Sequence, residues 1–448
     1  MFLKEMRIIN WQCIKSTVIN FENLMLFIGQ SNSGKSSIMS AIMYFLNHRG
    51  LRSRDFRNGE LYLQVEGRFY NRKREKFSVH GEKVNYKNFW IKVYQRLGHG
   101  PKYYCRYTNE WVEISEDEYI TIAKMTPVLF IPTVSELEET EFFIRNLLDN
   151  LDVRNIEENE SFRKINRIFN ELQRDYTSHG LYRNLIFEII CEIAAQSEKA
   201  KRAILEDTIL IYEEPELYLH PQREKELFHC LSSICKLGGQ VYVTTHSSNF
   251  VSLDHYRSIC IIRKEKKCGT KAFQFRGKLF HDDEIKNFNM NYWINPDRSE
   301  LFFAKKVILV EGQTDKIVLG YLAKRLGIFK YDYSIVECGS KSLIPQFVKL
   351  LNIFSIPYIA VYDKDNHLWR SPEELENSNR KNQTIQNCIN KNIGSYVEFE
   401  NDIEEEIYSE NRERKNYKNK PFYALKTVSE KDYKLPVRLE NKVRKIFE

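Results

Sequence analysis

The sequence lacks the features of secreted, disulfide-bonded and membrane-spanning proteins. Its nine cysteines form no Cys-x-x-Cys pair and no ladder of metal-ligand spacings, so reduced thiols are expected. The N-terminus has no apolar stretch typical of a signal peptide, and no apolar run approaches the roughly 20 residues that span a bilayer. We therefore expect a cytoplasmic protein with no membrane partner.

Sequence regularity and strong charge are also missing. There is no internal repeat, and the helical stretch 136–205 has no sustained heptad pattern, which excludes a long coiled coil. The net charge is only +7, from 68 basic and 61 acidic residues, which permits a nucleic-acid partner without requiring one. A chain of 448 residues is longer than the size at which a single hydrophobic core stops growing, so we expect two or three domains. We place the boundary between residues 1–300 and 301–448.

What is present begins with a phosphate-binding loop. The segment Gly29-Gln30-Ser31-Asn32-Ser33-Gly34-Lys35-Ser36-Ser37 follows an apolar strand at 24–28 and precedes a helix predicted over 36–46. In such a loop backbone N–H groups surround phosphates, the lysine reaches the terminal phosphates and the serine hydroxyl binds magnesium. The residues expected to hold ATP are Gly29, Asn32, Ser33, Gly34, Lys35, Ser36 and Ser37, with Ser36 also a magnesium ligand.

The residues at the ends of two later predicted strands are also typical of an ATPase. The apolar strand 209–212 ends in Glu213 and Glu214. In phosphate-loop ATPases the first acid assists magnesium and the second orients the attacking water. Another strand, 240–244, is followed closely by His246, which we interpret as a γ-phosphate sensor rather than a structural histidine.

Acidic residues gather at predicted strand ends in the last third of the chain. The alternation of strands and helices over 305–365 predicts a parallel sheet, and the carboxyl edge of such a sheet is where ligands bind. Carboxylates gathered there would repel one another unless cations neutralise them, and oxygen ligands favour Mg²⁺ or Mn²⁺. The expected metal ligands are Glu311, Asp315, Asp363, Asp365, Asp402 and Glu404.

Two such cations could activate a water and stabilise the leaving oxygen of a phosphodiester. The alternative is that these acids only cap helices and solvate strand ends. That alternative has most weight for Asp402 and Glu404, because an Asp N-cap followed by Glu in the first turn is good helix chemistry by itself.

The ATPase motifs resemble the ABC-type heads of the SMC-like group, in which two heads enclose ATP. In that group a Ser-x-Gly signature of one head covers the nucleotide on the other. Ser178 and Gly180, in Thr177-Ser178-His179-Gly180, are the best match here. An ordinary helix N-cap at Ser178 is the alternative.

The carboxylate spacing resembles a Toprim domain, and a head followed by a Toprim domain is similar to the OLD (overcoming lysogenization defect) family of ATP-dependent nucleases. The resemblance implies an α/β fold class: an ABC-type (SMC-like) P-loop ATPase domain with an antiparallel β lobe and a short helical insert, then a Toprim α/β domain with a parallel sheet. It also implies ATP and Mg²⁺ or Mn²⁺ as cofactors, and DNA as substrate.

The family resemblance further implies a homodimer or higher oligomer through the ATPase heads. It implies a role in bacterial anti-phage defence, with a partner protein or nucleic acid. A catalytic lysine is implied as well, for which Lys420 is the candidate and Lys426 the rival. The implied catalytic residues are Glu214, His246, Asp363 and Lys420.

Two other functions remain open from the sequence. One is a DNA-repair or chromosome-maintenance ATPase whose Toprim domain is structural. The other is a Toprim ribonuclease that acts as a toxin on RNA.

Overall fold

A computed structural model of the chain describes residues 1–133, 179–195, 198, 202, 205–236, 238–251, 253–265, 268–277, 299–408 and 419–448. The chain divides into two compact units, residues 1–276 and 277–448. The boundary that we predict near residue 300 stays a prediction, and most of the predicted helical stretch 136–205 lies outside the described residues.

The first unit is built on a twelve-stranded sheet. In chain order its elements, together with a separate β5–β6 hairpin, are β1 (Phe2–Trp11), β2 (Ile14–Asn20), β3 (Leu24–Ile28), α1 (Lys35–Phe45), β4 (Tyr62–Tyr70), β5 (Phe77–Val79), β6 (Glu82–Val84), β7 (Asn88–Arg96), β8 (Pro101–Arg106), β9 (Val112–Ile114), α2 (Glu116–Lys124), β10 (Val128–Ile131), α3 (His179–Ala195), β11 (Ile209–Glu213), α4 (Pro221–Cys235), β12 (Gln240–Thr245), β13 (Ile259–Glu265) and β14 (Gly269–Gln274).

The large sheet has a parallel half and an antiparallel half. Its spatial order is β10-β11-β12-β3-β13-β14-β2-β1-β4-β7-β8-β9. The first five strands in this order, which include β3, are parallel to one another. All five residues of β3 are buried, as expected for a strand covered on both faces. In β7 buried positions alternate with less buried ones, which is the pattern of a sheet with one solvated face.

One stretch differs from its predicted character. We expect 266–302 to be less regular, but residues 269–274 form β14, which pairs with β13 in the register Cys260↔Gln274 and with β2 at Gly269↔Ile14. The segment is polar and has no clear alternation, so its strand conformation is imposed by the two neighbouring strands.

The second unit is built on a four-stranded parallel sheet in the order β16-β15-β17-β18. Its elements are β15 (Lys306–Val310), α5 (Gln313–Arg325), β16 (Tyr333–Glu337), α6 (Ile344–Ile353), β17 (Tyr358–Asp363), α7 (Pro372–Cys388), β18 (Gly394–Phe399), α8 (Ile403–Tyr408), α9 (Lys420–Ser429) and α10 (Val437–Phe447).

The strand order reverses beside β15. From β15 the chain moves to β16 on one side and then to β17 on the other, so the carboxyl ends of β15 and β17 flank the switch point where open α/β sheets bind ligands. A core of apolar side chains from β15, β17, β18, α5, α8, α9 and α10 supports this edge. The predicted fold class is confirmed in both units. Among the described helices, none combines the length and apolar character needed to cross a membrane.

Candidate nucleotide and metal sites

Two glycines let the phosphate loop pack against its neighbours. A Cβ at Gly29 would lie 2.2 Å from the Ile262 carbonyl oxygen, and one at Gly34 would lie 2.3 Å from the Thr270 hydroxyl oxygen. Both residues have positive φ, +154° and +106°. The Thr270 hydroxyl also donates to the Ser33 carbonyl at 2.7 Å. Larger residues at these two positions would force the loop away from β13 and β14.

Lys35 is held inside the loop. Its ammonium donates to the carbonyl oxygens of Gly29 at 3.0 Å and Gln30 at 3.2 Å, and to His246 Nε2 at 2.9 Å. Burial lowers the pKa of Lys35, and the charge of Glu214 opposes this shift. Burial, together with the Lys35 charge, also lowers the pKa of His246, so a neutral imidazole accepts the hydrogen bond.

The two acids at the end of β11, Glu213 and Glu214, lie beside the loop. Burial raises the pKa of Glu213, while hydrogen bonds from Thr133 and Ser36 oppose the shift. Glu214 has a left-handed backbone, with φ +45°, and its Oε1 lies 3.4 Å from His246 Nε2. Residues from the phosphate loop, β11 and the end of β12 therefore meet at one place, as an ATP and magnesium site requires.

The other predicted ATP-binding residues are the remaining residues of the phosphate loop and the Ser-x-Gly signature at Ser178 and Gly180. Ser33 Oγ is buried and has no hydrogen-bond partner among the described residues, and Ser37 Oγ accepts from the Cys13 thiol at 3.2 Å. Asn32 is exposed and has φ +62°. Gly180 lies in the first turn of α3, and Ser178 lies outside the described residues.

Sequence reasoning missed two residues that position this site. Arg183, only 2% exposed, donates to the carbonyl oxygens of Pro132 at 2.6 Å, Thr133 at 2.7 Å and Glu213 at 3.0 Å. It thereby holds the ends of β10 and β11 together. Glu216 Oε1 accepts the His246 N–H at 2.6 Å. Arg183 is the one basic residue in the largely apolar segment 181–195, and this was the available signal.

In the second unit, acids meet at the ends of β15 and β17. Glu311 Oε1 accepts the backbone N–H of Asp363 at 2.8 Å. Asp315 Oδ2 accepts the Gly312 N–H at 3.0 Å and so caps α5. Burial, together with the charges of Glu311 and Glu404, raises the pKa of Asp315 to about 7, against the opposing effect of the Gly312 hydrogen bond.

Asp363 is the centre of this group. Its Oδ1 is buried and has no hydrogen-bond partner in the described part of the chain. Burial raises the pKa of Asp363, and four further acids raise it in the same direction: Asp315, Glu311, Asp402 and Glu404. The charges of four predicted ligands therefore act on a fifth, Asp363.

Asp365, the sixth predicted ligand, is engaged differently. Its Oδ1 lies 2.7 Å from an Arg370 nitrogen, and its Oδ2 lies 2.8 Å from Lys341 Nζ and 3.1 Å from the Ser378 hydroxyl. Burial alone would raise the pKa of Asp365, but the hydrogen bond and charge of Lys341, followed by Arg370, lower it overall. The carboxylate is thus neutralised by protein cations.

The last two acids begin α8. Asp402 Oδ1 accepts the Glu405 N–H at 2.8 Å, and burial followed by the Glu404 charge raises the pKa of Asp402. Glu404 Oε1 lies 3.4 Å from Lys420 Nζ, so the predicted catalytic lysine faces one of the acids. Lys426 lies in the last turn of α9, and among the described residues no ion pair joins it to any of the six acids.

The donor set fits a hard divalent cation, although the side chains are not assembled around one. In the described ranges no three His, Cys, Asp or Glu side chains are arranged to hold a metal ion as they stand. The chemistry fits because all predicted ligands are carboxylates, their charges oppose one another, and Asp363 Oδ1 lacks a partner.

Two SMC head structures are similar to part of this chain. Among solved structures, an SMC head bound to the C-terminal winged-helix domain of ScpA has a TM-score of 0.43 and 16% identity, over 61% of this chain and 98% of that one. The SMC head domain from Thermotoga maritima has a TM-score of 0.38 and 12% identity, over 62% of this chain and 100% of that one.

Three curated relatives carry nuclease names. The "OLD nuclease" of Thermus scotoductus is 28% identical over 40% of this chain and 34% of its own. The "Old nuclease" of Escherichia phage P2 is 25% identical over 42% and 33%, and "Endonuclease GajA" of Bacillus cereus is 24% identical over 65% and 42%. The chain therefore spans less than half the length of each of these relatives.

Two family models match the chain, one within each unit. A model described as an AAA ATPase domain matches residues 1–127 and 129–251, which is more than half of the chain. A model described as the TOPRIM domain of overcoming lysogenization defect protein-like proteins matches residues 302–365. With an ATPase domain followed by an OLD-like Toprim domain, the chain belongs to the OLD family of ATPase–Toprim proteins.

Proposed function

We propose that the chain is an ATP-binding, Mg²⁺- or Mn²⁺-dependent DNA endonuclease. The observation that carries this proposal is the Asp363 carboxylate, whose Oδ1 is buried without a partner in the described residues while four other acids act on it. An ionised carboxylate is costly to bury unless an opposite charge compensates it. A divalent cation supplies that charge at the ligand-binding edge of the sheet.

Each residue at this edge has a proposed task. Glu311, Asp315, Asp363, Asp402 and Glu404 would hold the cations. Lys420, 3.4 Å from Glu404, places a positive charge where negative charge develops in the transition state. When bound, such cations supply an activated water and a charge that stabilises the leaving oxygen.

Asp365 has a different proposed task. Its ion pairs with Lys341 and Arg370 fix the segment that follows β17, so we propose that Asp365 positions Asp363 rather than binding a cation. These ion pairs are also the observation that favours the alternative in which the Toprim domain is structural.

For the first unit we propose ATP binding with slow hydrolysis. The phosphate oxygens would accept the hydrogen bonds that Lys35 donates here to the Gly29 and Gln30 carbonyls and to His246. Ser36 and Glu213 would share the magnesium ion, and Glu214 would orient the attacking water. Two heads would enclose the nucleotide, with Ser178 and Gly180 of one covering the ATP of the other. We propose that this dimerisation regulates cleavage.

The names of the curated relatives support nuclease activity, and family membership supports DNA as the substrate. We propose that the protein acts in the bacterial cytoplasm as part of anti-phage defence, with a partner protein or nucleic acid that signals infection. RNA is the alternative substrate.

A cleavage assay tests the proposal. Supercoiled plasmid and, in parallel, tRNA are incubated with the purified chain, Mg²⁺ or Mn²⁺, and ATP or its non-hydrolysable analogue. Nicking that requires metal, is stopped by EDTA and is lost in Asp363→Asn is the expected result. Cleavage of tRNA alone would show that the substrate is RNA and not DNA. Cleavage of neither, under every metal and nucleotide condition, would favour the ATPase with a structural Toprim domain.

A further inference from the structure

A buried histidine lies beside the acidic cluster and is not part of the predicted ligand set. His367, in the segment between β17 and α7, is only 3% exposed. Its Nδ1 lies 2.8 Å from Glu405 Oε1, and its Nε2 lies 3.5 Å from Asp402 Oδ2. Nε2 is buried and has no hydrogen-bond partner among the described residues.

The ring is held from two sides. Glu405 accepts at Nδ1, which fixes the proton on that nitrogen and leaves the Nε2 lone pair directed toward Asp402. The Trp369 ring stacks on the imidazole, with 5.0 Å between the ring centroids and 27° between the planes. A carboxylate behind one ring nitrogen and a lone pair on the other is the arrangement that metal-binding histidines adopt.

We propose that His367 Nε2 and Asp402 together bind a divalent transition-metal cation, with Glu405 as the outer partner that orients the imidazole. Imidazole nitrogen suits transition metals, whereas Mg²⁺ prefers oxygen ligands alone. The site would therefore prefer Mn²⁺ to Mg²⁺. What the cation is used for rests on the proposed nuclease function, but its binding does not.

A protonated imidazole offers the competing explanation. An imidazolium between Asp402 and Glu405 would make two ion pairs and would repel a cation. The two explanations give opposite results when the ring is removed. Loss of a ligand weakens cation binding, whereas loss of a positive charge strengthens it.

The test uses the full-length protein with one equivalent of Mn²⁺ and no nucleotide. Pulsed electron paramagnetic resonance of the wild type is expected to show ¹⁴N coupling from a bound imidazole. The coupling should disappear in His367→Gln and persist in His99→Gln, which changes an exposed histidine of the first unit. It should also persist in His246→Gln, which changes a histidine 3.4 Å from Glu214 of the nucleotide site.

Calorimetry measures the affinity. We expect Mn²⁺ binding to weaken by about tenfold or more in His367→Gln and by about 10- to 100-fold in Glu405→Gln. Circular dichroism and thermal unfolding establish that each variant is folded, and the wild-type ¹⁴N signal needs no variant at all. Bound Mn²⁺ without ¹⁴N coupling, or unchanged or tighter binding in His367→Gln, would overturn the proposal.

These readouts separate the inference from the proposed function. Nitrogen-coupled Mn²⁺ in a protein that cuts no nucleic acid would leave the site standing and remove the nuclease. Metal-dependent cutting by a protein whose Mn²⁺ shows no nitrogen coupling would support the nuclease and remove the His367 site.

Discussion

The backbone N–H of Asp363 donates a hydrogen bond to Oε1 of Glu311, and the two atoms are 2.8 Å apart. This bond joins the ends of β17 and β15, the two strands that flank the switch point of the Toprim sheet. It uses one oxygen of Glu311 as an acceptor and needs no negative charge. The structural role of Glu311 can therefore be separated from its proposed role as a cation ligand.

Glu311→Gln should keep the fold and lose the cation. An amide oxygen still accepts the Asp363 N–H, and removing a charge relieves repulsion with Asp363, so the free energy of unfolding in EDTA should change by less than about 1 kcal/mol. Mn²⁺ affinity, measured by calorimetry, should fall by about tenfold or more, and plasmid nicking should be lost. Glu373→Gln, on the exposed first turn of α7, is the matched control. Unchanged Mn²⁺ binding in Glu311→Gln would remove this residue from the site.

Asp315 should make the metal-free protein less stable as the pH rises. Its pKa is raised from 3.8 to about 7, so the folded state holds the proton more tightly than the unfolded state, and the free energy of unfolding should fall between about pH 4 and pH 7. Each pKa unit corresponds to about 1.4 kcal/mol, which bounds the effect at roughly 4 kcal/mol.

Unfolding by urea in EDTA across this pH range measures the effect. Asp315→Asn keeps an acceptor for the Gly312 N–H and should flatten the curve, whereas Asp432→Asn, an exposed change, should not. Mn²⁺ should stabilise the wild type more at pH 7.5 than at pH 5, because protons compete with the cation. A pH profile that is identical in wild type and Asp315→Asn would contradict the raised pKa.

Much of the fold follows from local pattern. The continuous apolar runs 24–28 and 307–310 predicted strands, and both lie buried in parallel sheet, where both faces of a strand are covered. The strand β14 could not be predicted, because its conformation comes from pairing with β13 and β2 rather than from its own residues. The gathering of acids at strand ends was likewise predictable, because parallel strands bring their carboxyl ends to one edge.

The direction of each acid could not be predicted. Asp363 and Asp365 share one short motif, yet the strand ends at Asp363, and Asp365 has a left-handed backbone with φ +62° that is rare outside glycine. The partners of Asp365 are Lys341, which is 24 residues earlier, and Arg370, which is five residues later. No spacing rule connects these positions, so only the folded structure identifies the ion pairs. The same holds for His367 and Glu405.

Lys35→Met should abolish tight ATP binding. Methionine keeps the apolar stem but removes the ammonium, whose charge-assisted hydrogen bonds to phosphate are each worth about 1.5–3 kcal/mol, or about 10- to 100-fold in affinity. Binding of a fluorescent ATP analogue measures the loss. Lys124→Met, at an exposed position of α2, is the control. The reciprocal variant, Asp363→Ala with Asp365→Ala, should bind the analogue normally. Loss of nucleotide binding in that variant would contradict two separable sites.

Glu214→Gln should bind ATP but hydrolyse it slowly. The residue lies 3.4 Å from His246 and has the proposed task of orienting the attacking water, so its loss should lower kcat by about 100-fold or more with little change in nucleotide affinity. Phosphate release under saturating ATP is the measurement, and Glu226→Gln on the exposed face of α4 is the control. A Glu214→Gln variant with wild-type turnover would transfer this task to another residue, with Glu216 the nearest alternative.

The same substitution at two neighbouring acids should change stability in opposite directions. In EDTA at pH 7.5, Asp363→Asn should stabilise the protein, because the pKa of Asp363 is raised by burial and four other acids, so its charge is disfavoured in the folded state. Asp365→Asn should destabilise it by about 1–3 kcal/mol, because Lys341 and Arg370 lose their charged partner.

The two acids should also differ in their dependence on pH and metal. The pKa of Asp365 is lowered, so the stability that its charge contributes is present above its ordinary pKa of 3.8 and is lost as the pH falls. Added Mn²⁺ should stabilise Asp365→Asn but not Asp363→Asn. Urea unfolding of both variants, with and without metal, tests the pair. If both lose stability equally, Asp363 is a structural acid like its neighbour. If both gain stability, Asp365 belongs to the cation site despite its ion pairs.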